Sequence, residues 1–291
     1  MILFKKATDL RNWVDAQRKK DDHIGFAPTM GALHDGHISL IDASKKKDKI
    51  TISSIFVNPT QFNDPKDFKK YPVTLEKDID MLEKAGCDIL FLPTIEEIYP
   101  DARPDDMVGR GFTPKMHYDL GFLETVLEGK YRPGHFQGVC MVVHRLLEIV
   151  NPDHLYLGQK DYQQCMVLAR LVELTGLKNK TKIMICPTLR EADGLAMSSR
   201  NMRLNEMERK KAVTIYQCLN LIKENEKKET PAELISKAQL MLEKAGFKVD
   251  YVEIADAADL SPVNDWDRKQ KRVALIAAKM NEVRLIDNMV I

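Results

Sequence analysis

The sequence has almost no excess charge. Its 44 Lys and Arg face 43 Asp and Glu, leaving a formal net charge of +1. That balance removes any whole-chain electrostatic argument for binding nucleic acid or an anionic membrane, though a local basic site stays open. Long apolar runs are missing too, and no stretch approaches the ~18 apolar residues that would imply a membrane span. Met1-Ile2-Leu3-Phe4 precedes its lysines, so it is too short and in the wrong order for a signal peptide. Cys87, Cys140, Cys165, Cys186 and Cys218 are widely spaced, with no C-x-x-C pair. They read as reduced packing residues of a cytoplasmic protein. Three chemical signatures are also absent: the G-x-x-x-x-G-K-[ST] phosphate loop, the G-x-G-x-x-G dinucleotide fingerprint and the G-x-S-x-G nucleophile elbow. Any nucleotide must therefore be held in another way.

What is present is ordinary in bulk. Hydrophobic residues make up 44% and charged residues 30% of 291 residues, a soluble globular composition with length for two domains. Short apolar runs, several of them β-branched, at 24–27, 50–57, 88–92, 154–157 and 182–186 read as strands, each closed by Gly, Pro or Asn. Helical spacing lies between them at 40–44, 75–85 and 162–175. Strands alternating with helices imply an α/β fold with a parallel sheet and right-handed crossovers. The pattern changes near Pro187. Residues 205–227 and 231–245 read as amphipathic helices, and 247–254, 272–278 and 283–286 as strands without helices between them. That describes a smaller α+β module. The expected division is 1–187 and 188–291. Pro100 to Gly121 is polar and rich in Pro, Gly and Asp, and reads as a long surface loop or lid segment.

The segment Pro28-Thr29-Met30-Gly31-Ala32-Leu33-His34-Asp35-Gly36-His37 stands where the first of these strands hands over to a helix. Ligands of open α/β sheets bind outside the carboxyl ends of strands, and a helix N-terminus there favours an anion such as phosphate. His34 and His37, three apart, share a face of a helix. They admit three readings: a metal pair, a packed pair, or N–H donors to a phosphoryl group. A metal pair needs further ligands, and neither His135 nor His144 belongs to a second cluster with ligand spacing. Gly158-Gln159-Lys160-Asp161 follows the strand at 154–157 and offers Lys160 as a point cation, or simply as a solvated turn lysine. Met197-Ser198-Ser199-Arg200 offers two hydroxyls and a guanidinium for phosphate oxygens, or an N-cap with a surface arginine. Asn58 and Gln61 at one strand end and Gln164 after another are neutral amides suited to hydroxyls and carboxylates of a small polar molecule. Arg132-Pro133-Gly134-His135-Phe136-Gln137-Gly138 reads as a turn with two glycines.

Taken together, these segments and Arg284-Leu285-Ile286-Asp287-Asn288 resemble the pantoate–β-alanine ligase family, in that family's order and across essentially the whole chain. The resemblance implies a Rossmann-like parallel-sheet domain with nucleotidyltransferase topology, and a smaller C-terminal domain acting as a lid. It implies that ATP and (R)-pantoate form pantoyl adenylate and pyrophosphate with Mg²⁺, and that β-alanine then displaces AMP. By the same resemblance Met30, Gly31, Ala32, Leu33, His34, Asp35, Gly36 and His37 lie along ATP, with His37 as proton donor. Gly158, Gln159, Lys160, Asp161, Leu189, Met197, Ser198, Ser199 and Arg200 also contact ATP. His34, His37, Lys160, Ser198, Ser199 and Arg200 neutralise the charge that grows on the phosphates. Gln61 contacts both pantoate and β-alanine, Gln164 contacts pantoate, Asn58 lies near the β-alanine path, and Asp78 is a candidate Mg²⁺ ligand. The family resemblance also implies a cytoplasmic homodimer. Between Tyr99-Pro100 and Leu127-Glu128-Gly129 the chain is longer than the family pattern leads one to expect. Two rivals stay open from sequence: another nucleotidyltransferase with a different acceptor, and a non-catalytic nucleotide-binding protein.

Overall fold

The computed structural model describes residues 1–18, 22–63, 65–100, 116–266 and 270–291. Most of the 100–121 stretch read as a loop or lid therefore lies outside the described residues. The chain divides into two compact units. One comprises Met1–Gly158 and Gln164–Cys186, and the other Gln159–Gln163 and Pro187–Ile291. Relative to a single cut near 187, the short segment 159–163 groups with the second unit.

Among the described residues of the first unit, six parallel strands form one sheet: β1 (Ile2–Phe4), β2 (Ile24–Thr29), β3 (Ile50–Ile55), β4 (Ile89–Phe91), β5 (His154–Gly158) and β6 (Lys182–Cys186). Their order is β1-β4-β3-β2-β5-β6. From β2 the chain builds outward through β3 and β4, then returns to add β5 on the other side of β2 and β6 beyond it. The order reverses between β2 and β5, which pair at Gly25–His154 and Phe26–Leu155. In open α/β sheets the crevice at the carboxyl ends of two such strands is where ligands bind. β2 and β3 are nearly buried throughout, the reason they read as continuous apolar runs rather than alternating ones. Helices α1 (Ala7–Arg18), α2 (Asp35–Lys45), α3 (Leu75–Lys84), α4 (His135–Val150) and α5 (Tyr162–Leu174) accompany the strands. The apolar stripe of α4 (Phe136, Val139, Val143, Leu146 and Leu147) packs into the same core as Phe26, Ile52 and Leu155.

The second unit has an antiparallel sheet of β7 (Lys248–Asp256), β8 (Arg272–Met280) and β9 (Val283–Val290), in that order. Helices α6 (Thr214–Glu224) and α7 (Pro231–Lys244) share a core with it, through Ile215, Leu219, Leu234, Leu242, Ile254 and Ile276. The single helix expected over 205–227 is two, Glu206–Ala212 and Thr214–Glu224. The break falls at Val213, the first of three consecutive β-branched residues, Val213-Thr214-Ile215.

Burial pushes the thiols of Cys87, Cys140 and Cys218 up to about 12. They are unreactive packing groups, as their spacing implied. No helix among the described residues is long and apolar enough to cross a membrane.

A buried polar knot ties α2 to the sheet at the end opposite the crevice. Asp48 accepts from the Tyr156 hydroxyl at 2.6 Å and from His154 Nδ1 at 2.5 Å. Ser44 Oγ lies 2.8 Å from Thr51 Oγ1. Gly25 runs beneath this knot, where a Cβ would overlap Ser44 Oγ and Asp48 Oδ2 and lie 2.9 Å from the Tyr156 ring. Gly25→Ala should destabilise the protein by about 1–3 kcal/mol, the usual scale of overpacking a rigid site. A thermal melt checks this, and an unchanged midpoint would contradict the packing described.

Candidate active site

In the first unit the candidate residues gather first at the carboxyl end of β2. After Thr29 the backbone turns through two left-handed residues, Gly31 (φ +80°) and Ala32 (φ +50°). Glycine adopts that conformation freely, but alanine does so at a cost of about 1–2 kcal/mol. What holds it is Asp78, on the first turn of α3 and 1% exposed. Its Oδ2 accepts the Ala32 N–H at 2.9 Å, and its Oδ1 accepts the Leu33 N–H at 2.8 Å and the Thr74 hydroxyl at 2.9 Å. Hydrogen bonds to a carboxylate contribute about 1.5–3 kcal/mol each, enough to offset the strained turn. Thr29 Oγ1 adds to the hold, donating to the Ser54 carbonyl at 2.8 Å and accepting from Gly31 N–H at 3.2 Å. A Cβ on Gly31 would lie 3.0 Å from Asp78 Oδ2, so the turn is tight as well as left-handed.

This placement does not fit Asp78 as a Mg²⁺ ligand. Both of its oxygens are committed to donors within the fold, whereas Mg²⁺ is usually held by one or two accessible carboxylates and substrate phosphates. Nor, among the described residues, do three His, Cys, Asp or Glu side chains gather where they could hold a metal ion.

The turn delivers the chain into α2 with His34 as its N-cap and Asp35 as its first residue. Extended backbone at His34 (φ −142°) sets its ring beside that of His37, with centroids 4.0 Å apart and planes tilted by 41°. The His34 N–H donates to His37 Nδ1 at 3.3 Å. An imidazole nitrogen that accepts has no proton, so the neutral ring of His37 carries its proton on Nε2. His37 is thus a fixed N–H donor next to a helix N-terminus. Asp35 is exposed and Gly36 half-buried.

The carboxyl end of β3 supplies the second group. Asn58 is fully buried and its amide is used completely within the fold. Its Nδ2 donates to Gln61 Oε1 and to the Gly138 carbonyl, both at 3.1 Å, and its Oδ1 accepts from the hydroxyls of Tyr99 (2.9 Å) and Thr60 (3.0 Å). Burial raises the Tyr99 phenol well above its ordinary value, which keeps it a donor. Asn58 therefore acts within the fold, holding Gln61 by its Oε1. Gln61 Nε2 in turn donates to Met30 Sδ at 2.9 Å, joining the two strand ends.

The Arg132–Gly138 segment, read from sequence as a turn, is the seat of Gln61. Arg132 Nη1 lies 3.0 Å from His135 Nε2, and guanidinium can only donate. So His135 carries its proton on Nδ1, which donates to the Gln61 carbonyl at 2.8 Å. Arg132 Nη2 reaches the same carbonyl at 3.4 Å. Gly138, in α4, faces the turn so closely that a Cβ would overlap the Thr60 carbonyl and lie 2.9 Å from Gln61 Cα. The lone sequence signal for this role was a glycine inside an otherwise apolar helix, which marks a close backbone approach. Gln164 is half-buried in the first turn of α5.

The second unit gathers the remaining predicted residues. Leu189, 40% exposed, and Met197 face each other across a tight hairpin, with Met197 N–H donating to the Leu189 carbonyl at 3.0 Å. Ser198 Oγ accepts from Arg200 N–H at 3.3 Å and opens a short 3-10 turn over Ser199–Arg203. Ser199 is buried, while Ser198 and Arg200 are half-buried. Gln159, Lys160 and Asp161 form a single 3-10 turn directly after Gly158. Lys160 Nζ stands 4.0 Å from Asp161 Oδ2, too long for a strong pairing.

Comparison with known proteins gives one consistent answer. The family model described as pantoate-beta-alanine ligase matches residues 2–290. The chain is 42% identical over 295 residues to a pantothenate synthetase of Cytophaga hutchinsonii, covering 100% of this chain and 99% of that one. It is similar to the crystal structure of pantothenate synthetase from Thermus thermophilus, with a TM-score of 0.86, 36% identity and 99% of each chain covered. It is also similar to a pantoate-beta-alanine ligase from Francisella tularensis complexed with beta-gamma ATP and beta-alanine, with a TM-score of 0.78, 38% identity, and 100% and 97% of the two chains covered. The chain belongs to the pantoate-beta-alanine ligase family.

Proposed function

We propose that this protein condenses (R)-pantoate with β-alanine, driven by ATP, through a pantoyl-adenylate intermediate. The observation that carries the reading is the Met30–His37 turn. It lies at the carboxyl end of β2, beside the switch in strand order, and presents a His37 Nε2–H donor at a helix N-terminus.

In the first step a pantoate carboxylate oxygen attacks the α-phosphorus of ATP, and the bond to the pyrophosphate oxygen breaks. Charge builds on the transferred phosphoryl group and on the leaving pyrophosphate. By the family resemblance His34, His37, Lys160, Ser198, Ser199 and Arg200 answer it. Donors already in place cost no reorganisation as the charge develops. Mg²⁺ enters with the triphosphate as MgATP and neutralises part of its charge. His37 fits hydrogen-bond donation better than proton transfer, because a proton on Nδ1 would break the bond from His34 N–H. Gln61 and Gln164 hold pantoate by its hydroxyls and carboxylate, with Asn58, His135 and Gly138 setting Gln61. In the second step the amine of β-alanine attacks the acyl carbon, AMP leaves with the bonding pair, and the amide forms as the ammonium proton is lost to solvent. The homodimer and the cytoplasmic location belong to the same reading.

Purified protein with MgATP should release AMP only when both pantoate and β-alanine are present. AMP formed with another acid in place of pantoate would instead favour a different acceptor within the superfamily. His37→Ala should lower pantoate-dependent ATP–pyrophosphate exchange by roughly 10²–10³-fold, the scale of losing one preorganised donor. Wild-type exchange in that variant would remove His37 from the chemistry. Gly138→Ala should raise the KM for pantoate about tenfold or more while the Kd for ATP stays unchanged, since a small misplacement of a positioning group is costly. An equal loss in ATP binding would show that the Gln61 seat is not specific to the acid.

A further inference from the structure

The final strand holds two residues that are poor strand formers, Asp287 and Asn288, and both are buried, at 4% and 2% exposure. Neither belongs to the site described above. The Asn288 side chain is committed to the backbone of the 159–161 turn. Its Nδ2 donates to the Gln159 carbonyl at 2.9 Å and to the Lys160 carbonyl at 2.8 Å, and its Oδ1 accepts from Gln159 Nε2 at 3.4 Å. A side-chain amide that bonds two successive carbonyls fixes the peptide planes on both sides of the Lys160 α-carbon. Asp287 stiffens Asn288 in turn. It accepts the Asn288 N–H at 2.8 Å and pairs with both terminal nitrogens of Arg190, at 2.6 and 3.1 Å. Arg190 closes the loop by donating to the Asn288 carbonyl at 3.2 Å. A second tie holds the far end of the turn, where the Tyr162 hydroxyl donates to the Ala257 carbonyl at 2.7 Å.

We infer that Asn288 is the positioning residue for Lys160, fastening the lysine to the unit that also holds Ser198, Ser199 and Arg200. The inference rests on the reading of Lys160 as a phosphate contact. It explains why segment 159–163 groups with the second unit although it continues strand β5 of the first. It also accounts for an amide in a strand interior, where burial would otherwise favour a β-branched residue. The ion pair behind it secures the amide in one orientation.

A double-mutant cycle in the full-length enzyme tests this, read as pantoate-dependent ATP–pyrophosphate exchange. Asn288→Asp keeps the shape but replaces a donor with a second acceptor facing two carbonyls. Asn288→Ser, neutral and smaller, provides a second variant should the aspartate lower the melting temperature. In the wild-type background either change should cut exchange roughly tenfold or more. In a Lys160→Ala background the same change should cost less than about twofold, because residues acting as one unit are not additive. Aminolysis of supplied pantoyl adenylate by β-alanine should be unaffected by the Asn288 changes. An equal factor in both backgrounds, or no loss in either, overturns the inference and leaves the role of Lys160 standing. Undiminished exchange in Lys160→Ala alone overturns the reading beneath it, and the inference falls with it.

Discussion

The site of the first unit depends on one carboxylate. Asp78 reaches from α3 to the backbone of Ala32 and Leu33 and stabilises a left-handed turn at a residue that is not glycine. Everything after that turn takes its position from it. The His34 N-cap, the direction of α2 and the acceptor bond that fixes the proton of His37 on Nε2 all follow in sequence. Remove the carboxylate and two peptide N–H groups in a dry pocket lose their acceptor, each at a cost of about 1–3 kcal/mol.

The same device recurs at other strand ends that carry candidate site residues. A buried polar side chain commits its hydrogen-bonding capacity to the backbone that carries the group. Asp78 does this for the histidine turn and Asn288 for the Lys160 turn, while Asn58 holds the Gln61 turn through the Gln61 and Thr60 side chains and ties it to the Gly138 carbonyl. Loops at strand ends have no ladder to hold them, so their geometry must come from such side chains. An apolar residue of equal size could fill the space, but it could not set a peptide plane.

Much of this was legible from sequence, and the reasons differ by element. The central strands of the parallel sheet showed as apolar runs because both faces are covered. Residues 182–186 were legible to the residue, since Pro187 stops them. The strand Ile2–Phe4 was missed, because three residues at a sheet edge are too short for a periodic signal. The helix over 205–227 split at Val213, where a local preference outweighed a continuous apolar stripe. The groups proposed to meet phosphate could be named because histidine, lysine and serine carry their chemistry in the side chain. The groups that hold them could not. Asp78 was a candidate Mg²⁺ ligand only through the family resemblance, and the sequence does not announce the backbone N–H groups that folding brings 45 and 46 residues across the chain to meet it. His135 and Gly138 looked like turn residues for the same reason: the His135 partner is a carbonyl 74 residues away, and Gly138 packs on the same distant turn.

The claim that Asp78 shapes the turn is tested most directly by amide hydrogen exchange at Ala32 and Leu33 in ligand-free protein, comparing wild type with Asp78→Asn. The asparagine keeps one acceptor oxygen but turns an N–H donor toward a backbone N–H. If the carboxylate holds the turn, exchange at Ala32 and Leu33 accelerates by roughly 10-fold or more while the core of β2 and β3 stays protected, as expected when a local opening becomes easier without global unfolding. Unchanged protection at those two amides, with a variant whose only defect is a raised Mg²⁺ requirement, would return Asp78 to the metal and contradict its role in the turn.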